Sequence, residues 1–261
     1  MNIYIMADIE GISGIYSPEQ IDPEGNRFQE GRRYMTDEVN VCIRACKDAG
    51  ADHIYVRDAH GGSYTLIWEE LSEDATYCIC GVTESCRMPG LDDCDALILL
   101  GYHAMAGTQS GTLEHSMSSR RIQNYWINGV KSGEIAIDAA IAAEHGKPVI
   151  LVSGDDVVCR EAREFLPWVK TAEVKKGMSS FGAMLLPRKK SHETIYRETF
   201  RAVKEAAGAG LYRVSAPVCL RVETTERTPV PMSVGKPYYR RLDGRTYEVT
   251  APTAEEAFFL S

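Results

Sequence analysis

Carboxylates and histidines occur at short, regular intervals in the first half of this 261-residue chain. Four of these residues form two pairs, each with one residue between its members: Asp8 with Glu10, and Asp58 with His60. Side chains two positions apart in an extended chain point to the same side, so each pair can reach one site together. His103 follows directly on another apolar run, within Gly-Tyr-His. The sequence thus predicts that acids and imidazoles are delivered to a common place.

Histidines combined with carboxylates are ligands that suit zinc or a similar divalent ion. A bridging carboxylate allows one site to hold two ions about 3.5 to 4 Å apart. Such a pair lowers the pKa of a shared water toward neutrality and polarises the carbonyl that the water attacks. The residue types therefore predict a metal-dependent hydrolase.

The elements that must position these residues alternate between strands and helices. Short apolar segments at 3–7, 53–58, 96–100 and 148–152 predict strands. Steps of four and three between apolar residues predict a helix over 28–49, and an alanine-rich helix is predicted over about 133–145. This pattern is typical of an α/β fold in which helices cover a mostly parallel sheet. Ligands of such folds bind beyond the carboxyl ends of the strands, where the acids and histidines lie.

Several of these residues also have purely structural interpretations. Glu134, two residues after Ser132, lies in the first turn of the alanine-rich helix, where an acid is favourable without any metal, and taken alone this interpretation is preferred. His103 could equally be a core histidine bonded to a backbone carbonyl. Asp155 and Asp156 precede a predicted helix, so we interpret them as capping residues outside the ligand set.

The second half of the chain follows a different pattern, which predicts a smaller α+β C-terminal region. The predicted elements are a helix over 157–165, a short strand near 172–174, a helix over 191–207, strands over 214–223 and 246–250, and a terminal helix. We accordingly divide the chain into an α/β metal-binding catalytic domain, residues 1–187, and a smaller region, residues 188–261.

Composition excludes several functional classes. Lysine and arginine total 29 against 37 acids, a net charge of −8, which opposes binding to nucleic acid. The longest apolar runs are far shorter than a membrane span, so no membrane partner is expected. The first eight residues lack the basic region of a secretory signal, and we expect a cytoplasmic protein with mostly reduced cysteines.

Known sequence motifs narrow the chemistry further. The chain contains no H-E-x-x-H, G-x-S-x-G, G-x-x-x-x-G-K-[ST] or convincing G-x-G-x-x-G sequence, which argues against zincin proteases, α/β-hydrolases, P-loop enzymes and Rossmann dehydrogenases. A rival structural zinc set, Cys78, Cys80, Cys86 and Cys94, lacks a paired C-x-x-C and is weak.

Five segments together resemble the zinc-dependent D-aminopeptidases of the DppA family, in the same order and at similar intervals. They are Asp8-Ile9-Glu10-Gly11-Ile12-Ser13-Gly14, Asp58-Ala59-His60, Gly101-Tyr102-His103-Ala104, His115-Ser116-Met117 and Gly133-Glu134. The resemblance runs from residue 1 to at least Asp156. It departs from the family pattern at Ala59, where serine is common, and at Arg57, and it fades beyond about residue 180.

The resemblance implies two zinc ions per subunit and a catalytic histidine at His115. The implied zinc ligands are Asp8, Glu10, His60, His103 and Glu134. Asp8 is expected to bridge the ions, and Glu134 becomes a ligand rather than only a helix-capping acid. The resemblance further implies a cytoplasmic homodecamer of two stacked five-fold rings that enclose a chamber, and release of N-terminal D-amino acids from short peptides.

We therefore predict a metallo-aminopeptidase that releases N-terminal, D-configured residues by means of a water activated by two zinc ions. His115 is the predicted proton carrier or oxyanion stabiliser. Asp58 either orients His60 or forms the turn after its strand. The alternatives are another two-metal hydrolase, acting on phosphate esters or non-peptide amides, and a non-catalytic assembly protein stabilised by metal. The position of His115 beside the ligands favours catalysis.

Overall fold

The computed structural model describes residues 1–79, 86–227, 230–231 and 235–261. Its strands, in chain order, are β1 (Asn2–Ala7), β2 (His53–Asp58), β3 (Thr76–Cys78), β4 (Ala96–Leu100), β5 (Ile122–Ile127), β6 (Val130–Ser132), β7 (Val149–Asp155), β8 (Lys170–Ser179), β9 (Gly182–Leu185), β10 (Val218–Thr224), β11 (Tyr239–Arg241) and β12 (Thr246–Ala251). Its α-helices are α1 (Phe28–Asp48), α2 (Glu134–Glu144), α3 (Asp156–Phe165), α4 (Arg188–Lys204) and α5 (Ala254–Leu260).

Seven strands form the larger sheet, in the order β3-β2-β1-β4-β7-β8-β9. All neighbouring pairs are parallel except β8 with β9. In β1, Tyr4 and Met6 face one hydrophobic core, which includes α2 and α3, whereas Ile3 and Ile5 face a second core, which includes α1 and α4. Burial on both faces explains why these strands are continuously apolar. The predicted α/β fold, with a mostly parallel sheet covered by helices, is confirmed.

Five strands form a second, antiparallel sheet, in the order β11-β12-β10-β5-β6. Its consecutive strands β5 and β6 are joined by Asn128 and Gly129, whose φ angles of 49° and 86° fit a tight two-residue hairpin turn. The inner face of this sheet shares one core with α2 and α3. The predicted division after residue 187 stays a prediction: the seven-stranded sheet lies before it, whereas the five-stranded sheet takes β5 and β6 from before it and β10, β11 and β12 from after it.

The predicted elements agree with the structure except at their ends and in the short strands. The predicted strands over 53–58 and 96–100 coincide with β2 and β4. Strand β8 is much longer than the predicted strand near 172–174, because the buried Lys175, which follows the buried Val174, interrupts the alternation of apolar and polar residues. Strand β10 starts at Val218 rather than at 214, since Pro217 has no amide hydrogen to donate to a neighbouring strand.

Two sequence interpretations concern cysteine and membrane spans. Cys42 and Cys46 are buried thiols on α1, as their spacing predicts. Of the rival structural zinc set, Cys80 lies outside the described residues. Within the ranges that the structure describes, none of the helices combines the length and the apolar character needed to cross a bilayer.

Candidate metal centre

The carboxyl ends of three adjacent strands lie level with one another and deliver the predicted ligands. Ala7 of β1 is paired with Asp58 of β2 and with Leu100 of β4. The chain after β1 passes directly over the end of β4, where a Cβ atom on Gly11 would lie 1.9 Å from the Tyr102 carbonyl oxygen. Only glycine permits this approach, which brings the segment with Asp8 and Glu10 against the one that carries His103.

Asp8 lies between the two histidines that follow β2 and β4. Its Oδ1 atom is 3.2 Å from His60 Nδ1, and its Oδ2 atom is 3.5 Å from His103 Nε2. Glu10 Oε2 is 3.2 Å from His60 Nδ1, and Glu134 Oε1 is 3.2 Å from His103 Nε2. The five residues predicted as ligands therefore converge on one cluster, and Asp8 presents one oxygen to each imidazole.

In each histidine, one ring nitrogen is held by a backbone carbonyl and the other faces the carboxylates. His60 Nε2 lies 2.9 Å from the Ile21 oxygen, and His103 Nδ1 lies 3.1 Å from the Ala104 oxygen. A carbonyl can only accept, so the contacting nitrogen carries the hydrogen in a neutral ring. The opposite nitrogen then offers a lone pair to the cluster, which is the arrangement found in metal-binding histidines.

Two buried atoms of the cluster have no hydrogen-bond partner among the described residues. They are Glu10 Oε2 and His103 Nε2, whose close neighbours do not lie in hydrogen-bonding geometry. Ligand atoms that could hold an ion form two overlapping groups that share His103, one with Asp8 and Glu10 and one with His115 and Glu134. Since buried polar atoms are normally satisfied, this set of donors fits a divalent cation such as zinc.

The pKa values of the cluster indicate that its buried carboxylates need a positive charge nearby. Burial, with the charge of Glu10, raises the pKa of Asp8 to about 7. Burial opposes ionisation of Glu134 and of His103, yet their mutual attraction holds the pKa of Glu134 at about 2 and raises the pKa of His103 to about 10. The negative charge of the carboxylates thus favours the protonated form of the His103 imidazole. A bound metal ion would supply this positive charge in place of the proton.

His115 lies against the cluster but differs from the other histidines. Its ring stacks on His103 with 3.9 Å between the centroids, and its Nε2 atom is 3.8 Å from Glu134 Oε1. Burial, followed by the neighbouring charge of His103, lowers the pKa of His115. A mostly neutral imidazole whose Nδ1 lies 2.9 Å from the Leu113 oxygen can accept or donate a proton at Nε2.

Asp58 does not contact the ring of His60. Its Oδ2 atom accepts hydrogen bonds from the amides of Thr65 and Leu66, at 2.6 and 3.1 Å, and its Oδ1 atom accepts one from the His60 amide at 3.3 Å. These contacts shape the loop after β2, which is the turn-forming alternative of the two predicted roles. Asp58 therefore acts on His60 through a backbone hydrogen bond and through its charge.

Sequence reasoning missed the groups that hold the ligand segments in place. Lys175 is buried and its Nζ donates to the carbonyl oxygens of Glu10, Ile12 and Ile15, at 2.6, 3.0 and 2.7 Å. The amide of Met117, a residue with φ of 61°, donates to Glu134 Oε1 at 2.7 Å. Neither group leaves a clear signal in the sequence, because Lys175 is one of several charged residues of β8 and the Met117 donor is a backbone amide.

A cleft of about 480 Å³ opens above the cluster. Asp8, Glu10 and Glu134 lie at its floor, and His60 and His115 line it. Its remaining walls come from the loop after β1 and the segment after His115, and they consist of Pro18, Ile21, Asp22, Pro23, Ala59, Gly61, Met117, Ser118, Ser119 and Arg120. The space suits a substrate of a few residues and gives it direct access to the ligands.

Comparison with known proteins gives three concordant matches. The profile of the family described as D-aminopeptidase, peptidase family M55, matches residues 1–260. A D-aminopeptidase of Bacillus subtilis (strain 168) is 33% identical over 205 residues, which cover 78% of this chain and 74% of that protein. A solved structure described as the Zn-dependent D-aminopeptidase DppA from Bacillus subtilis, a self-compartmentalizing protease, superposes with a TM-score of 0.93 at 28% identity and covers 99% of this chain and 94% of that chain.

Proposed function

Since this chain belongs to the D-aminopeptidase family, we propose that it releases N-terminal D-amino acids from short peptides at the cluster below the cleft. It is a metal-dependent aminopeptidase with zinc as its metal, as in the similar Bacillus subtilis enzyme. The observation that carries the assignment is the convergence of three strand ends and the first residue of α2 on one set of ligand atoms. Glu10 Oε2 and His103 Nε2, buried with no partner in the described parts of the chain, support a resident cation.

Two zinc ions per subunit are the arrangement that the donors favour. Asp8 offers one carboxylate oxygen to the side of His60 and Glu10 and the other to the side of His103 and Glu134. Zinc bound there would activate a water and polarise the scissile carbonyl. The proposed ligand set is Asp8, Glu10, His60, His103 and Glu134.

The chain's own groups supply proton transfer and substrate binding. His115 Nε2 faces the cluster from the cleft and can take a proton from the attacking water and return it to the leaving amine. Pro18, Ile21 and Met117 offer apolar surface to the side chains of a bound peptide.

Self-association and a cytoplasmic location complete the proposal. The similar solved structure is described as self-compartmentalizing, and we extend that assembly to this chain as a homo-oligomer, with the decamer of two rings as the expected form. An enclosed chamber would admit short or unfolded peptides and exclude folded proteins.

Hydrolysis of D-Ala-D-Ala beside L-Ala-L-Ala, in zinc-supplemented and chelator-treated protein, tests the proposed specificity. We expect amine release from the D isomer that stops with the chelator and returns with zinc. Cleavage of the L isomer alone contradicts the stereochemical assignment. Hydrolysis of a phosphate ester without release from either peptide would favour another two-metal hydrolase.

A further inference from the structure

The cleft above the cluster carries a permanent cation at its rim. Among the described residues that line the cleft, Arg120 alone is a lysine or arginine, beside the acids Asp8, Glu10, Asp22 and Glu134. The Arg120 side chain is 85% exposed, whereas the Glu10 side chain is only 2% exposed. The guanidinium charge therefore lies at the outer end of the cleft, and the carboxylates of the cluster lie at its inner end.

Arg120 forms an ion pair across the cleft with the loop after β1. Its Nη2 atom donates to Asp22 Oδ2 at 3.2 Å, and Asp22 Oδ1 accepts from the Glu24 amide at 3.0 Å. The residue before Asp22 is Ile21, whose carbonyl oxygen lies 2.9 Å from His60 Nε2. One partner of the ion pair is thus adjacent to a residue that contacts a candidate ligand.

The backbone that carries Arg120 is fixed on both sides. Three residues before it, the Met117 amide donates to Glu134 Oε1 at 2.7 Å. The Arg120 carbonyl accepts from Thr225 Oγ1 at 2.6 Å, and the Arg121 carbonyl accepts from the Thr225 amide at 3.0 Å. The long side chain of Arg120 can therefore change its partner while its backbone stays at the rim.

The guanidinium of Arg120 has unused hydrogen-bonding capacity. It has five N–H donors, and its contact with Asp22 is its one hydrogen bond to the described parts of the chain. An ion pair this exposed is weak, because water screens both charges. A second carboxylate can therefore bind the remaining donors, beside Asp22 or in its place, in the bidentate geometry that arginine favours.

A short peptide at this cluster has its two charged ends at opposite ends of the cleft. The amino end lies at the floor, because an aminopeptidase attacks the first peptide bond and the candidate metal ligands are there. The carboxylate end then points toward the rim, where Arg120 lies. The charges of the peptide carboxylate and of the guanidinium are complementary.

We propose that Arg120 binds the terminal carboxylate of the substrate and makes the enzyme selective for short peptides with a free carboxyl end. This role rests on the proposed release of N-terminal D-amino acids and adds a requirement at the far end of the substrate. Because Arg120 lies at the rim rather than at the cluster, it determines specificity and takes no part in the chemical step.

Paired substrates test this role. D-Ala-D-Ala and D-Ala-D-Ala-D-Ala are each given to zinc-loaded protein as the free acid and as the C-terminal amide, and initial rates of cleavage provide kcat and KM. For at least one of the two lengths, kcat/KM is expected to be about ten-fold higher for the acid, as for an exposed hydrogen bond between charged groups. The difference should lie in KM, because the carboxylate contact is the same before and during the reaction.

Arg120→Gln is expected to abolish this preference by raising KM for the acid to that for the amide, with little change in kcat. Arg120→Lys should retain part of the preference, since lysine keeps the charge and loses the bidentate geometry. Arg121→Gln is the matched control, because it removes the same charge from an exposed neighbour that does not line the cleft. It should leave the preference unchanged.

Equal kcat/KM for acid and amide at both lengths would overturn the role of Arg120 and leave the proposed function standing. A preference that survives in Arg120→Gln, or that Arg121→Gln removes equally, would overturn it as well.

A protein that cleaves none of these peptides contradicts the proposed function, and calorimetry then tests Arg120 separately. Zinc-loaded protein is expected to bind the acid with a Kd about ten-fold lower than that of the amide, and Arg120→Gln should remove the difference. Equal Kd values, a difference that Arg120→Gln leaves in place, or no binding of either form would overturn the inference.

Discussion

His115 has two candidate roles, that of a metal ligand and that of a proton carrier. It stacks on His103 and lies within reach of Glu134, so its position alone is compatible with either role. Its Nε2 is farther from Glu134 Oε1, at 3.8 Å, than His103 Nε2 is, at 3.2 Å. It also lines the cleft, where a substrate would lie. These differences favour proton transfer.

Replacement of His115 with alanine is expected to lower kcat by roughly 10²- to 10⁴-fold, the usual contribution of a general acid or base. Zinc content, measured by atomic emission on the purified protein, is expected to stay unchanged. His103→Ala is the matched control, because removal of a ligand is expected to lose zinc and activity together. Loss of zinc from the His115 variant would make His115 a ligand.

Glu38 is a buried carboxylate of α1 that contacts the loop after β1 but is not itself part of the cluster. Its Oε1 atom accepts hydrogen bonds from the amide and hydroxyl of Ser13, and its Oε2 atom has no partner among the described residues. Burial raises its pKa to about 7, from an ordinary value of 4.5. The folded protein therefore binds this proton more tightly than the unfolded chain does, and stability falls as the pH rises from about 4.5 to about 7.

Glu38→Gln is expected to remove this dependence, because an amide keeps the acceptor for Ser13 and cannot ionise. The free energy of unfolding of the variant, relative to the unchanged protein, should rise by about 2 to 3 kcal/mol between pH 5 and pH 8. Urea unfolding at both pH values measures it. Glu164→Gln, at an exposed position of α3, is the control and should show no such rise; equal changes in both variants would contradict the assignment to Glu38.

At the scale of elements, Asp155 connects the start of α3 to the loop that carries His115. Its Oδ1 atom accepts from the amides of Val157 and Val158, at 3.0 and 2.8 Å. Its Oδ2 atom accepts from the Thr112 amide at 2.8 Å. The capping role predicted from the sequence is present, and the contact with Thr112 adds a second function, which is to anchor the loop three residues before His115.

Asp155→Ala is expected to lower the free energy of unfolding by about 2 to 4 kcal/mol, since it leaves three amides without their charged acceptor. The activity should fall as well, because the loop loses its anchor. Thr253→Ala is a suitable comparison, since Thr253 caps α5 through one amide and should cost about 1 kcal/mol with no loss of activity. Equal losses of stability in the two variants would argue against the loop contact.

At the scale of the whole molecule, the candidate metal centre connects the two sheets. Asp8, His60 and His103 follow strands of the larger sheet, while Glu134 begins α2 directly after β6 of the smaller sheet. Zinc held by all of them would join parts of the chain that are far apart in sequence. Binding free energy at such a site adds to the stability of the folded state.

Removal of zinc by a chelator is therefore expected to lower Tm, and restored zinc should raise it again. A thousand-fold excess of free zinc over its Kd corresponds to about 4 kcal/mol, or on the order of 10 °C in Tm for a chain of this size. Calorimetry with zinc titration measures both the shift and the number of ions per chain. An unchanged Tm would show that the ions do not link the sheets.

Much of the site could be predicted from local sequence. Acids and histidines that directly follow apolar strands must lie at one edge of a parallel sheet, because the strands share a direction and end at the same level. This reasoning needs only the sequence to bring Asp8, Glu10, His60 and His103 together. The Asn128-Gly129 turn between β5 and β6 was also a local signal, although the predicted elements did not include that hairpin.

The placement of Glu134 beside His103, the contacts of Asp58 and the composition of the second sheet depended on tertiary structure. The local sequence around an acid in the first turn of a helix is the same whether its side chain faces solvent or His103. The pairing of β5 with β10 joins residues nearly a hundred positions apart, and no local periodicity specifies a partner at that distance. Local sequence determined which residues stand at strand ends, whereas long-range packing placed Glu134 of α2 beside them, because chain distance carries no information about which surfaces become neighbours on folding.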